Sequence, residues 1–535
     1  MMPRQFLAPV ALVLALALGG CGGGGGSSTP GSTGPIATLS PASLSFPMQL
    51  LATTSAARTV SLQNTGNATL TLPASAITLT GADAADYAAT TDCGTSLAAG
   101  ASCSINVKFT PGAGGTRTAT LNVASNAPGS PATAAITGAA AGDNALPVTI
   151  DLGPTPQSTP TANIIYASVK FCTPGSTTAC AVVDHIQVDT GSYGLRVFKS
   201  ALTAIGGSSV VPQLAQAAGT SDPLFECVQY ADGYTWGSVA VVDVQIGTRW
   251  LTNLRIQLTG DTNATGGVPG DCSSHAGKQL KNENQVSSFG ANGILGIGNF
   301  LQDCGFYCAQ TNPALYPQSG NYYQCPAAAS CTAVPVALGL QVQNPISQMA
   351  TDNNGALVSL PAISGKGAAT ASGFVFFGIN TQPDNTVGAA KWFGLDSSGY
   401  LSTAFGSTTF PQSIVDSGSN AYFFDSTLTT CTNANYSWAY CPSASTGESA
   451  VISGATNSAT ATINFTVDSA DTLFTTYGND AVYPNLAGPA SGVGSVFSNT
   501  FDWGLPFFLG RPVYVLFEAQ PGPSGSGVTG PALAF

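Results

Sequence analysis

The chain has 535 residues, of which 44% are hydrophobic and only 7% charged, with 63 Gly and a formal net charge of -12. Enough apolar material is present for a large core, which excludes a disordered chain, and 14 Lys plus Arg over this length cannot build the basic face that nucleic-acid binding requires. The length exceeds one typical domain, so two or three packing units are expected.

At the start of the chain, Arg4 supplies a positive charge, Phe6 to Leu18 form an apolar run too short to span a bilayer comfortably, and Gly19 and Gly20 follow. This pattern predicts a signal peptide over 1–21. Leu18-Gly19-Gly20-Cys21 resembles a bacterial lipobox, which implies that Cys21 is lipidated and anchors the exported chain to the lipid bilayer. Gly22 rather than Asp follows the cysteine, which implies the outer membrane, on its periplasmic or cell-surface side. The Gly/Ser-rich stretch 22–36 has nothing to bury and reads as a flexible tether.

Thirteen cysteines are present, and setting Cys21 aside leaves an even number. Cys93 with Cys103, Cys172 with Cys180, and Cys431 with Cys441 are close enough in sequence for local disulfides in an oxidising compartment. The pairing of Cys227, Cys272, Cys304, Cys308, Cys325 and Cys331 stays open. The spacing of the last four invites comparison with a zinc site, but export favours disulfides, and neither metal nor cofactor is expected.

From 37 to 140, short runs such as Thr59-Val60-Ser61-Leu62-Gln63 and Ile105-Asn106-Val107-Lys108-Phe109 alternate apolar and polar residues between Gly, Asn and Pro turns. Period-two alternation with these turns predicts a β-sandwich of about 100 residues. The segments QNTGNATLTL, LAAGASCSINVKFTP and TATLNVASNAPGSPATAAITG resemble the immunoglobulin-like repeats of bacterial surface proteins, which implies a spacer or binding module. After a short linker, the remaining chain is again strand-rich, with helical candidates only at Ser200 to Ile205 and Pro345 to Ala350. A mainly β segment of roughly 390 residues is large for one barrel, and an internal duplication resolves this.

The duplication is visible. Ile186-Gln187-Val188-Asp189-Thr190-Gly191-Ser192 matches Ser413-Ile414-Val415-Asp416-Ser417-Gly418-Ser419, and each half has a later pair of bulky apolar residues before Gly, at Ile294-Leu295-Gly296 and Phe508-Leu509-Gly510. VDTGSYGLRV and IVDSGSNAYFF resemble the two active-site motifs of pepsin-like (retropepsin-like) aspartic peptidases, with GILGIGNF and FFLGRPVYVLFE as their hydrophobic-hydrophobic-Gly partners. QYADGYTWGSVAVVDVQIG resembles the flap hairpin, with Tyr230 as its tyrosine.

The resemblance implies a two-lobed double β-barrel, with an N-lobe over 147–380, a C-lobe over 381–518 and a Gly/Pro-rich tail over 519–535. It also implies an aspartic endopeptidase with a peptide or protein substrate. Two facing carboxylates that share a proton can activate water and protonate a leaving nitrogen, which is why Asp189 and Asp416 are the catalytic candidates. Gly191 and Gly418, lacking Cβ, let the two loops approach. The resemblance assigns Thr190 and Ser417 to cross-linking the loops, Ser192 and Ser419 to orienting the outer carboxylate oxygens, and Tyr230 to closing over peptide.

Two departures stand out. Arg196 occupies the position of the family's flap-supporting Trp, with Trp236 as a candidate substitute, and the segments Thr259 to Ser288 and Gln302 to Thr332 read as extra Cys-clamped loops rimming the cleft. His185 and His275 are the only histidines, His185 reads as a packed or surface residue, and no nucleophile elbow, HExxH or P-loop is present. The rival reading is a catalytically inactive fold of the same kind acting as a surface binding or adhesion lipoprotein. Retention of both aspartates with their glycines and hydroxyls argues against it.

Overall fold

The computed structural model describes residues 34–154, 161–206, 209–261, 267–311, 321–327, 330–492 and 499–535. Cys21, the leader and most of the tether lie outside the described residues. The chain is mainly β and divides into two compact units. One holds the described residues up to Ser45, with Ala56–Lys108 and Thr118–Ile136, and the other holds Phe46–Ser55, Phe109–Arg117 and Thr137–Phe535.

In the first unit the alternation seen in the sequence becomes one-sided burial. Val60 and Leu62 of the strand Arg58–Asn64, and Ile105 and Val107 of the strand Ser102–Phe109, are fully buried while their neighbours face outward. The two strands pair antiparallel, Val60 opposite Ile105, as a half-buried sheet requires.

The second unit is dominated by a 17-stranded sheet, beside a 7-stranded one built from residues between Leu401 and Trp503. Strands lose their alternation where both faces are covered. The strand Cys180–Asp189 alternates through Val183 and is then buried continuously from Ile186 to Asp189, which reflects packing on both sides as it enters the centre. A bulge at Asp184 and His185, where His185 takes φ 49°, shifts the register against Ala167 and Val169. His185 packs edge-on against Tyr166 and sits 3.2 Å from Asp151, a structural role as expected. The 7-stranded sheet packs around an aromatic nucleus of Phe405, Phe424, Phe465, Phe501 and Trp503, in which Phe424 and Phe501 stack at 4.7 Å.

Residues Lys199–Gly206 form a helix, whereas the expected helix near Pro345 is a single 3-10 turn over Ile346–Gln348, since Asn344 and Pro345 turn the chain into it and Met349 is already extended. The segment after 518 ends in the strand Ala532–Ala534, which pairs with both Val513–Leu516 and Trp392–Gly394. Six disulfides form. Besides the three local ones, Cys227 joins Cys272, Cys304 joins Cys308 and Cys325 joins Cys331. Disulfides of this number suit an exported protein. Among the described residues no helix is long and apolar enough to cross a membrane.

Of these bridges, Cys227–Cys272 closes a span of 45 residues and Cys304–Cys308 one of 4. Loop-closure entropy gives about 4 kcal/mol for the first and about 2 kcal/mol for the second. The double substitution Cys227→Ser with Cys272→Ser is therefore expected to lower the urea midpoint more than Cys304→Ser with Cys308→Ser. Equal shifts would show that strain rather than loop closure governs these bridges.

Candidate active site

Each half brings its aspartate to the centre by the same arrangement. In the first half the strand Gly293–Ile297 runs parallel beside Cys180–Asp189, with Val188 opposite Leu295 and Asp189 opposite Gly296, and antiparallel to Tyr193–Phe198. In the second half Asp502–Trp503 runs parallel beside Ile414–Val415 and antiparallel to Tyr422–Phe423. The partner of the second motif is therefore Trp503-Gly504, and the expectation that Phe508-Leu509-Gly510 plays this part is corrected. Phe508 closes a buried 3-10 turn over Leu505–Phe508, and Leu509 and Gly510 run on to Leu360. The apolar pattern favoured Phe508-Leu509, because the true partner carries the polar Asp502 where the first half has Ile294.

The two loops are cross-linked by reciprocal hydrogen bonds. The Thr190 amide donates to Ser417 Oγ at 3.1 Å and the Ser417 amide to Thr190 Oγ1 at 2.9 Å. Thr190 Oγ1 then donates to the Val415 carbonyl at 3.2 Å, and Ser417 Oγ to the Val188 carbonyl at 3.0 Å. Each aspartate also accepts from its own loop, Gly191 N to Asp189 Oδ1 and Gly418 N to Asp416 Oδ1, both at 2.7 Å. A methyl on Gly191 would lie 2.6 Å from Asp416 Cγ, and one on Gly418 2.6 Å from Asp189 Cγ. The missing Cβ atoms thus make room for the opposite carboxyl, and the two carboxyls face each other.

The two halves differ at the outer oxygens. Ser419 Oγ donates to Asp416 Oδ2 at 2.8 Å, whereas Ser192 Oγ is buried without a partner among the described residues. Burial first, and then the facing Asp189, push the Asp416 carboxyl well above the usual carboxylate range. Two acids this close lose their protons as a pair. Burial and the same two carboxyls also push the Tyr193 phenol up.

The pair opens into a cleft of about 1060 Å³. One wall is the hairpin Leu224–Gln229 with Gly233–Ile246, whose tip is closed by Tyr230 N donating to Gly233 O at 2.8 Å. Tyr230 lines the cleft with its ring edge-on to Phe289 at 5.9 Å. Residues of both extra loops, among them Asp271, His275 and Asp303, line the same cleft. Trp236 stacks on Phe225 at 5.2 Å and meets Tyr323, so it stiffens the base of the hairpin, while the group beside Tyr230 is Arg196.

Arg196 is 1% exposed, with Nη2 2.5 Å from Glu226 Oε1 and 3.5 Å from Asp303 Oδ2, and Nη1 donating to the Tyr193 carbonyl at 2.7 Å. Tyr322 OH donates to Asp303 Oδ1 at 2.7 Å. Burial and Glu226 hold the Asp303 carboxyl well above its usual range, and Glu226 is the nearer of the two carboxyls to Arg196. Burial pushes the Tyr230 phenol up to about 12, with the Arg196 guanidinium opposing the rise. Neither Glu226 nor Asp303 was recognisable in the sequence, since both join Arg196 only through the fold. Truncating one partner of a buried pair strands the other charge and costs about 3–5 kcal/mol. Arg196→Met is thus expected to lower stability to urea by that order, and adding Glu226→Gln to regain part of it. A double variant no better than the single one would show that the two side chains are not paired.

No curated protein matches the chain by sequence. Among solved structures, an aspartic proteinase from Irpex lacteus is similar at 15% identity and a TM-score of 0.37, over 73% of this chain and 96% of that chain. Residues 140–535 match the family described as "Protein of unknown function (DUF3443)", and the chain belongs to that family.

Proposed function

We propose that the protein is an aspartic endopeptidase in which Asp189 and Asp416 share a proton and activate a water for attack on a peptide bond. The observation that carries this reading is the pair of glycines whose missing Cβ atoms admit the opposite carboxyl. With the reciprocal Thr190 and Ser417 bonds, they hold two acids face to face in an open cleft. A fold kept only for binding has no need to bury two repelling acids together, because their mutual desolvation destabilises it.

In the proposed reaction one carboxyl of the pair takes a proton from water as the oxygen attacks the carbonyl carbon. The other gives its proton to the carbonyl oxygen, and as the resulting diol collapses it takes a hydroxyl proton back while the first carboxyl passes the proton it took from water to the leaving nitrogen. Tyr230 at the hairpin tip covers the substrate and excludes water. The raised position of Asp416 keeps one proton on the pair above the pH at which an isolated carboxyl, near 4, would have lost it. We further propose that the chain is exported and held to a membrane through Cys21, with the first unit as a spacer.

The test is digestion of a denatured protein by the chain from Ala37 onward, across pH. Asp189→Asn and Asp416→Asn are each expected to lower kcat/KM by on the order of 10³-fold or more. Gly418→Ala is expected to do the same, by displacing Asp189 while leaving both acids present. The wild-type profile should be bell-shaped, with both limbs belonging to the pair. Cleavage that persists in both Asn variants, or none at any pH, would leave the inactive binding fold as the better account.

A further inference from the structure

Pairing the second motif with Asp502-Trp503 exposes a difference between the halves. By register, Ile414 lies opposite Asp502 as Gln187 lies opposite Ile294. The position that is apolar in the first half is a carboxylic acid in the second.

Asp502 is 2% exposed, and its Oδ1 has no hydrogen-bond partner among the described residues. Its neighbour Trp503 accepts from the Asp416 amide at 3.1 Å, so Asp502 stands one residue from the backbone that positions Asp416. On the other side Phe423 is opposite Asp502 and Tyr422 opposite Trp503. The charged groups that face it are Asp189 and Asp416, and Ser419 is its polar contact. Among the described residues no cation pairs with it. A buried acid without a cation keeps its proton, and a protonated carboxyl is a donor. Ser419 Oγ already spends its own hydrogen on Asp416 Oδ2, so its lone pairs are free to accept.

We propose that Asp502 is a third carboxyl of the active site, a positioning residue that acts on Asp416 through Ser419 and sets the alkaline limit of the pair. This rests on reading Asp189 and Asp416 as catalytic. Below its own titration Asp502 donates to Ser419 and so fixes the hydroxyl that holds the outer oxygen of Asp416. No proton leaves it during turnover. At higher pH the three acids repel one another, and the added charge keeps the last proton on the pair to a higher pH than two acids alone would. In the first half the corresponding chain is absent, since Ile294 replaces the acid and Ser192 has no partner among the described residues.

Two measurements separate this proposal from the function it rests on. Burial pushes Asp502 up to about 8, with the Ser419 contact opposing the rise and Asp189 adding to it, against about 4 in an unfolded chain. The stability due to its protonated form is therefore complete below about 4 and is lost as pH rises toward 8. The thermal midpoint of Asp502→Asn, which cannot ionise, should rise relative to wild type between pH 5 and pH 8, whether or not the protein cleaves anything. In the pH profile of kcat/KM, Asp502→Asn should move the alkaline limb down by about one unit and leave the acid limb in place. Should Asp502→Asn fail to fold, Asp502→Ile copies the first half, and Ser419→Ala cuts the link above an intact Asp502.

An unmoved alkaline limb overturns the positioning role, and a midpoint difference that does not grow with pH overturns the buried proton. If Asp189→Asn and Asp416→Asn still cleave, the catalytic reading fails, and with it the role assigned to Asp502, while the midpoint comparison still judges its proton.

Discussion

The structure depends on one constraint, the contact between two loops that are 227 residues apart in sequence and joined by the Thr190 and Ser417 bonds. Each bond is worth only about 1 kcal/mol net, but a buried donor left without an acceptor costs more than the bond contributes. Sliding one half against the other would strand two amides and two hydroxyls together, so the contact tolerates one register. The sheets behind each loop serve that register. Leu295 beside Val188 and Trp503 beside Val415 set the depth to which each aspartate projects, and the glycines remove what would collide there.

Symmetry in the backbone does not extend to the side chains. Gln187 donates to the Gly418 carbonyl at 3.0 Å, while its counterpart Ile414 has no amide to offer. Ser419 holds Asp416, while Ser192 Oγ holds nothing among the described residues. Two chemically identical acids are thereby placed in different fields, with more hydrogen-bond donors around Asp416 and a third acid near it. Such a difference gives a shared proton a preferred side, which a fully symmetric pair would not.

How much of this was legible follows from the nature of each signal. The paired motifs around Asp189 and Asp416 are contiguous, and their loop chemistry needs small and hydroxyl residues at fixed positions, so a sequence shows them directly. The local disulfides and the Tyr230 hairpin were legible for the same reason. The second partner strand was misread because apolar pattern was the only guide, and the strand that occupies the place is two residues long and begins with a buried acid. Glu226 and Asp303 were invisible because a buried ion pair has no sequence period. The sole hint was Arg196, a cation set within the buried strand Tyr193–Phe198, which must have a partner somewhere in the fold.

That partner determines how the cleft wall can move. Glu226, Cys227 and Gln229 are near neighbours on one strand, and each is fixed to a different part of the molecule: Glu226 to Arg196, Cys227 to Cys272, and Gln229 to the carbonyls of Asp271, Cys272 and Ser274. The returning strand is fixed as well, with Gly233 opposite Lys281 and Tyr234 opposite Asn282. Lifting the whole hairpin would break an ion pair, a covalent bond and several hydrogen bonds at once. Motion is therefore confined to Tyr230, Ala231 and Asp232 at the tip. A wall of this kind yields only over the three residues that carry the Tyr230 ring lining the cleft.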